Sequence, residues 1–196
     1  WLYGESFRAP SRSETDVENS SAIVANPDLE PEVARTTELI WQSHHRQNFL
    51  ATTLFYIELN HIITDAQTTP VERFNTGHES LAGVELEWHR EWRENLSSRM
   101  NASWIFDSSS QANIEAEFFA GMSLVYLNKK FSAALMLNHH SAKEDIFVQS
   151  TEIKERGIGQ RSFLDAHFRW FLPHKIEAFV QLNNITDEDY NSVALR

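Results

Sequence analysis

The chain has 196 residues, no cysteine and a formal net charge of -11, with a sequence pI ≈ 5.2. Disulfides and thiolate metal sites are therefore excluded, and so acidic a chain argues against nucleic acid as a partner. It has no apolar run long enough for a transmembrane helix and no charged-then-apolar leader, so the open choices are a soluble domain or a barrel that crosses a membrane with strands.

Trp1, Tyr3 and Phe7 alternate along the first stretch until Pro10 stops a strand ladder. Because this strand begins at Trp1 without a Met, the chain reads as a fragment. From 11 to 31 the composition is polar and a long loop is expected. Residues 34–43 alternate again, with Thr37, Leu39 and Trp41 against Thr36, Glu38 and Gln42. A short turn at 44–47 leads into NFLATTLFYIELN, where Phe49, Ala51, Thr53, Phe55, Ile57 and Leu59 share a face. A medium loop follows at 64–70. The next strand, 74–89, sets Ala82, Val84, Leu86 and Trp88 outward and Gly83, Glu85, Glu87 and His89 inward. A turn near 92–94 returns the chain through Leu96, Ser98, Met100, Ala102, Trp104 and Phe106, with Ser97, Arg99, Asn101 and Ser103 opposite.

After a Ser-rich loop at 107–113 comes the clearest pattern, EAEFFAGMSLVYLNKKFSAALMLNHH over 115–140. Phe118, Ala120, Met122, Leu124 and Tyr126 share one face, and Phe131, Ala133, Leu135 and Leu137 continue it. A two-residue turn at Asn128-Lys129 predicts Leu127 opposite Lys130, Tyr126 opposite Phe131, Leu124 opposite Ala133 and Met122 opposite Leu135. One face is continuously apolar and the other small and polar, as in a strand pair between lipid and a wet or protein-filled lumen. Residues 141–159 read as a charged loop. In the strand at 162–172, Leu164, Ala166, Phe168 and Trp170 oppose Asp165, His167 and Arg169. A three-residue turn at 172–174 then predicts Arg169 opposite Glu177 and Trp170 opposite Ile176 in the last strand, 175–183.

Connections alternate between short and long, and every short turn falls on one rim. That asymmetry fits outer-membrane barrels, with short periplasmic turns and long extracellular loops. Trp41, Trp88, Trp92 and Trp170 lie near the short turns and Trp104 near the other rim, as interfacial girdles require. The alternative from pattern alone is a soluble antiparallel sheet half-buried under helices, because LEPEVARTTELI and WHREWREN also carry helical periodicity.

Six short motifs then appear in order: Phe7-Arg8-Ala9-Pro10; Asn26-Pro27-Asp28-Leu29-Glu30-Pro31-Glu32 with Thr37-Glu38; Phe55-Tyr56 with Ile62-Ile63; Phe74-Asn75 to Gly77; Gly83-Val84-Glu85; and Asn183-Asn184-Ile185-Thr186-Asp187 to Tyr190. In that order they resemble the barrel of TonB-dependent outer-membrane receptors. The resemblance implies an all-β fold, an antiparallel transmembrane β-barrel segment in which residues 1–196 supply about nine strands of a barrel of about 22. It also implies a bacterial outer-membrane location, no enzyme activity and no cofactor. The implied function is energised import of a scarce nutrient, most often a ferric siderophore. Partners would be outer-membrane lipid, the chelate, and the TonB complex acting through a plug domain missing from this chain, as is the family's final strand. The alternatives are a passive porin or adhesin barrel, or cobalamin or haem as the substrate.

Haem-uptake members of the family carry a His between the first two motifs; the interval 11–25 contains none. His44-His45 lie in the short turn and His139-His140 at the outer end of a strand; adjacent strand residues point to opposite faces, so neither pair chelates readily, both read as polar rim residues and no metal site is expected. Arg8 and Arg12, at the head of the first long loop, are candidates to meet an anionic chelate. Glu85, Arg99, Asp165, His167, Arg169 and Glu177 are expected to face the lumen, the last four as an ion-pair cluster contacting the plug rather than as acid/base machinery.

Overall fold

A computed structural model describes residues 1–16, 23–66, 70–109, 116–149 and 152–188. The strands are β1 (Leu2–Arg8), β2 (Ile23–Val24), β3 (Glu32–His45), β4 (Asn48–Asp65), β5 (Val71–Arg93), β6 (Leu96–Ser108), β7 (Phe118–Leu127), β8 (Phe131–His140), β9 (Lys143–Gln149), β10 (Glu152–Ile158), β11 (Arg161–Leu172) and β12 (Ile176–Leu182). One sheet runs in the order β1-β3-β4-β5-β6-β7-β8-β11-β12, with β2 pairing parallel to β5. The alternation of period two therefore prevails over the helical readings: WHREWREN lies on β5 and its turn, and LEPEVARTTELI enters β3. Strands of 10 residues, as in β7 and β8, have the length that a tilted crossing of a bilayer needs.

The chain divides into two compact units. The first comprises 1–39, 54–83 and 107–110. In it β1 pairs with β3 from Leu2↔Glu38 to Arg8↔Glu32. The expected loop at 11–31 carries a four-residue helix, α1 (Arg12–Thr15), and the short strand β2; its residues 17–22 lie outside those described.

The Asn26–Glu32 motif closes this unit as a clamp. Asn26 Nδ2 donates to the Arg73 carbonyl (2.8 Å), and Asn75 exchanges hydrogen bonds with the Glu30 backbone, accepting at 2.8 Å and donating at 2.9 Å. Asn75 Nδ2 also donates to the carbonyl of His61, a residue held at φ 57°. Leu29, between these bonds, is among the few buried hydrophobic side chains. Glu32 accepts from the Ile63 amide (2.8 Å) and from Arg8 Nε, while Arg8 reaches Glu14 on α1 at 3.2 Å. Glu14 in turn accepts from the Ser11 amide in a capping box. Four of the motifs quoted above thus meet through side chains far apart in sequence.

These contacts hold the carboxyls ionised. Bonds from Ser11, and then from Arg8, lower the Glu14 pKa below its ordinary value. Arg8 and then the Ile63 amide lower that of Glu32, and the Arg8 guanidinium is raised in return.

The second unit comprises 40–53, 84–106 and 111–196. Its ladders define two faces. On the first, Met100–Met122–Leu137–Leu164, Ser98–Leu124–Leu135–Ala166–Leu182 and Leu96–Tyr126–Ala133–Phe168–Val180 form cross-strand rows. On the second, Asn101–Gly121–Asn138–Phe163, Arg99–Ser123–Met136–Asp165 and Ser97–Val125–Ala134–His167–Gln181 do the same. Gly121 leaves room for its neighbours: a Cβ there would lie 2.7 Å from Asn101 Oδ1 and 3.2 Å from Asn138 Oδ1, so the Asn101 side chain would have to turn aside.

Both expected hairpin registers are corrected by two residues. Leu127 pairs with Ser132, Tyr126 with Ala133, Leu124 with Leu135 and Met122 with Leu137. Asn128 does not adopt the left-handed conformation expected of it. Its Oδ1 instead accepts from the amides of Lys130 (2.7 Å) and Phe131 (2.9 Å), which moves the two-residue turn to Lys129-Lys130. At the other hairpin the turn is Pro173–Lys175, with His174 and Lys175 at φ 62° and 60°, so Arg169 pairs with Phe179 and Trp170 with Ala178. A slip of two leaves every side chain on its expected face, whereas a slip of one would exchange the faces. The charged stretch 141–159 is also corrected: β9 and β10 form a separate antiparallel hairpin, Lys143↔Ile158 to Gln149↔Glu152.

Among the described residues the buried hydrophobic side chains are Leu29, Ala51 and Ala166, while Met122, Leu124, Leu135, Leu137, Trp170 and Leu182 are exposed. A soluble sheet would hide such a face under helices. The helices described are α1 and the single turn at 173–175.

The clamp's carboxylates titrate below their usual range in the folded chain, so their contribution is complete at neutral pH and is lost as the pH falls through those lowered values. Glu32→Ala is expected to speed hydrogen exchange of the Ile63 amide at pH 7 by roughly tenfold, the scale of one hydrogen bond to a charged acceptor. Amide-resolved exchange checks this. Measured as protection relative to an unstructured amide at the same pH, acidification should reproduce the loss in the parent chain and add nothing at that amide in the variant.

Candidate functional site

The candidate residues fall into a loop group in the first unit and a polar face in the second. Arg8 ends β1 and is occupied by Glu32 and Glu14, so its charge holds the root of the first long loop. Arg12 opens α1 with a side chain 87% exposed and, among the described residues, pairs with Asp16, 54% exposed, at 3.5 Å, an arrangement of little energetic weight. The two arginines therefore do different work, and Arg12 is the one that presents its guanidinium to solvent.

The ladder sets Arg99, Asp165, His167, Arg169 and Glu177 on the second unit's polar face, with Arg99 apart from the other four, while Glu85 lies exposed on β5 between Val84 and Leu86. The expected cluster of four resolves into separate contacts. Arg169 and Glu177 form an exposed ion pair at 3.6 Å, diagonal across the β11–β12 ladder rather than directly opposed. His167 stacks on Phe179 with ring centroids 6.2 Å apart. Asp165 accepts the Asn184 amide at 2.7 Å, and Asn184, at φ 51°, bonds through its side chain to the Glu188 backbone. Asp165 thus anchors the turn of the Asn183–Asp187 motif; Tyr190, the end of that motif, lies outside the described residues. Arg99 shares a row with Asp165, but two strands intervene, roughly 14 Å at the spacing of a sheet, so they do not pair.

The same face carries an open recess of ≈ 560 Å³, lined by Phe119, Asn138, His140, Arg161, Phe163 and Asp165 with Asn183 and Asn184. Phe119 and His140 pair directly across β7 and β8, with rings edge-to-face at 4.9 Å. Arg161 pairs with His140 across β8 and β11. His139, by contrast, sits on the apolar face, its Nδ1 2.8 Å from Ser162 Oγ. The expectation that adjacent histidines point apart holds at this pair. Among the described residues, acidic and histidine side chains do not gather into a metal-binding group. Arg161 was not a sequence candidate. Parity from Phe163 and Asp165 places it on this face, but the charged stretch before it obscured where β11 begins. The recess combines one guanidinium and one carboxylate with side-chain amides and aromatic edges.

At the short-turn end of the apolar face, Trp92 Nε1 donates to Ser98 Oγ at 2.9 Å, so the most deeply buried polar side chain described is satisfied. Trp88 meets Trp92 edge-on at 6.3 Å, and Tyr126 and Phe131 pack at 5.3 Å. These rings cluster toward the short turns of the sheet.

Residues 2–143 match the family model described as TonB dependent receptor-like, beta-barrel. No curated protein sequence matches the chain. Among solved structures, the siderophore receptor PirA from Acinetobacter baumannii aligns with a TM-score of 0.78 at 13% identity, over 95% of this chain and 34% of that one. The pyoverdine outer membrane receptor FpvA from Pseudomonas aeruginosa PAO1 aligns at 0.77 and 15% identity, over 96% of this chain and 29% of its own length. The copper transporter OprC aligns at 0.75 and 12%, over 96% and 31%. At these identities the likeness carries the fold alone, and the chain spans about a third of the length of the receptors it matches. They are receptors and transporters, not enzymes. With its family model matched over most of its length, the chain belongs to the TonB-dependent receptor β-barrel family and is part of an outer-membrane barrel.

Proposed function

We propose that the chain is part of an active-transport receptor that binds a ferric siderophore and imports it with energy delivered by a TonB complex. The observation that carries this reading is the match to the receptor barrel family over 2–143, joined to a polar face lined by Arg99, Arg161, His140 and Asn138. Ferric siderophores are commonly anionic and rich in oxygen, so a guanidinium flanked by amides and aromatic rings is chemically matched to them. In this account the polar face is the lumen wall. Arg161 and the recess contact the chelate on its way inward, and Arg12 meets it first at the loop. Arg8 keeps α1 in place. Glu85 and Arg99 face the lumen, and Asp165, His167, Arg169 and Glu177 contact a plug domain, which couples the barrel to the energy source.

The loop interval 11–25 carries no histidine, which favours a siderophore over haem. Cobalamin and a passive barrel remain the competing readings, and one transport assay separates them all. Cells lacking their own iron receptors and expressing the whole protein should accumulate radiolabelled iron from a ferric siderophore, and should stop when the inner-membrane energy source is removed. Uptake that persists without energy would establish the passive reading. Energised uptake of haem or cobalamin alone would replace the substrate.

The two faces make a second prediction. Leu135→Arg places a charge in the middle of the apolar face and is expected to destabilise the folded barrel by about 2 to 4 kcal/mol. Ser132→Arg lies three residues away on the polar face and should be milder. Denaturant titration of the protein in lipid vesicles measures both, and equal losses would sink the assignment of faces.

A further inference from the structure

The four short turns of the second unit, at 46–47, 94–95, 128–130 and 173–175, all lie at one end of its strands because neighbouring strands alternate in direction. They carry an excess of cations in a chain of net charge -11. Arg46, Arg93, Lys129, Lys130 and Lys175 are all exposed there, against Glu91 and Glu94. Three of the chain's five lysines sit in these few residues. None of the five cations takes part in an ion pair among the described residues, although carboxylates outnumber basic residues by 28 to 17 in the whole chain.

Just inside this rim, on the apolar face, lies the aromatic belt of Trp88, Trp92, Tyr126, Phe131 and Trp170, with Trp92 and Trp170 45% and 44% exposed. Arg90 lays its guanidinium 3.9 Å from the Trp92 ring centre, a cation held at the edge of the belt. Such rings settle at the level of lipid headgroups. Arg93, Lys129 and Lys130 lie one or two residues from Trp92 or Phe131, and Arg46 and Lys175 occupy the other turns of the same rim, so the five stand near the depth of the phosphates. A protein partner is a poorer occupant, because turns of two or three polar residues offer no apolar surface for it to bury.

We propose that the short-turn rim binds anionic phospholipid headgroups, with Arg46, Arg93, Lys129, Lys130 and Lys175 bridging their phosphates just beyond the aromatic belt. The inference rests on the apolar face meeting lipid, but not on which nutrient is carried. Anionic lipid thereby supplies the counter-charge that the protein withholds, and fixes the depth at which this end of the barrel rides.

The test uses the whole protein in nanodiscs of phosphatidylcholine containing a minority of phosphatidylglycerol, with the retained lipids measured by native mass spectrometry. Phosphatidylglycerol should be enriched over its bulk fraction. Each single change among Arg46→Gln, Arg93→Gln, Lys129→Gln, Lys130→Gln and Lys175→Gln should lower that enrichment by up to about fivefold, and the combination should abolish it. Heat-dependent gel migration reports whether the combined variant folds. If it does not, the parent protein still decides, since its enrichment should vanish at molar salt, where the screening length falls to about 3 Å. Insertion without enrichment, or enrichment untouched by both salt and the substitutions, overturns the lipid site while leaving the membrane barrel standing. Failure to insert into nanodiscs of either composition overturns both.

Discussion

A strand that crosses a bilayer must find partners for all of its peptide groups on neighbouring strands, because lipid offers none. The rest of this chain depends on that constraint. The antiparallel ladder from β6 to β12 satisfies the backbone and forces successive side chains to opposite faces. Apolar and polar residues therefore separate into cross-strand rows that continue over five strands, such as Ser98–Leu124–Leu135–Ala166–Leu182 beside Ser97–Val125–Ala134–His167–Gln181. A sheet built this way needs no buried core of its own. The short list of buried hydrophobic residues and the long list of exposed ones follow from it.

The faces were legible in the sequence because they depend on parity alone. Register was not, because it depends on which atoms close the turn. Asn128 invites two readings, a left-handed backbone or a side-chain acceptor, and the second shifts the pairing by two without moving a residue to the wrong face. Pro173 acts similarly at the last hairpin, where the left-handed conformations fall on His174 and Lys175 rather than on a glycine or asparagine. The hairpin of β9 and β10 was illegible for another reason: KEDIFVQ and EIKERGI scatter charge over both parities, so no apolar face announces a strand.

The motifs were visible as a resemblance before their physical work could be seen. Asn26, Leu29, Glu30 and Glu32 are spread along a loop, and their partners Arg73, Asn75 and Ile63 lie some thirty to fifty residues onward. Pattern within a window does not reach so far. The same distance hid the difference between Arg8 and Arg12, equivalent cations in the sequence. Only the arrival of Glu32 beside Glu14 makes one of them structural. At Asp165 the sequence suggested a partner for Arg169, yet the carboxylate is taken by the backbone of Asn184, so the last motif is secured by a strand residue that precedes it. Charge is distributed with similar economy: carboxylates pair with arginines at the loop clamp, while the short-turn cations form no ion pair among the described residues.

The account stands or falls on which face of the sheet meets lipid. The chain contains no cysteine, so single cysteines can be placed one at a time along β8 from 131 to 138 and spin-labelled in the protein returned to bilayers. Collision rates with oxygen, which concentrates in lipid, and with a water-soluble nickel complex then report the surroundings of each position. The account predicts oxygen maxima at 133, 135 and 137 and nickel maxima at 132, 134 and 136. A uniform profile, or the same alternation in the opposite phase, would contradict it.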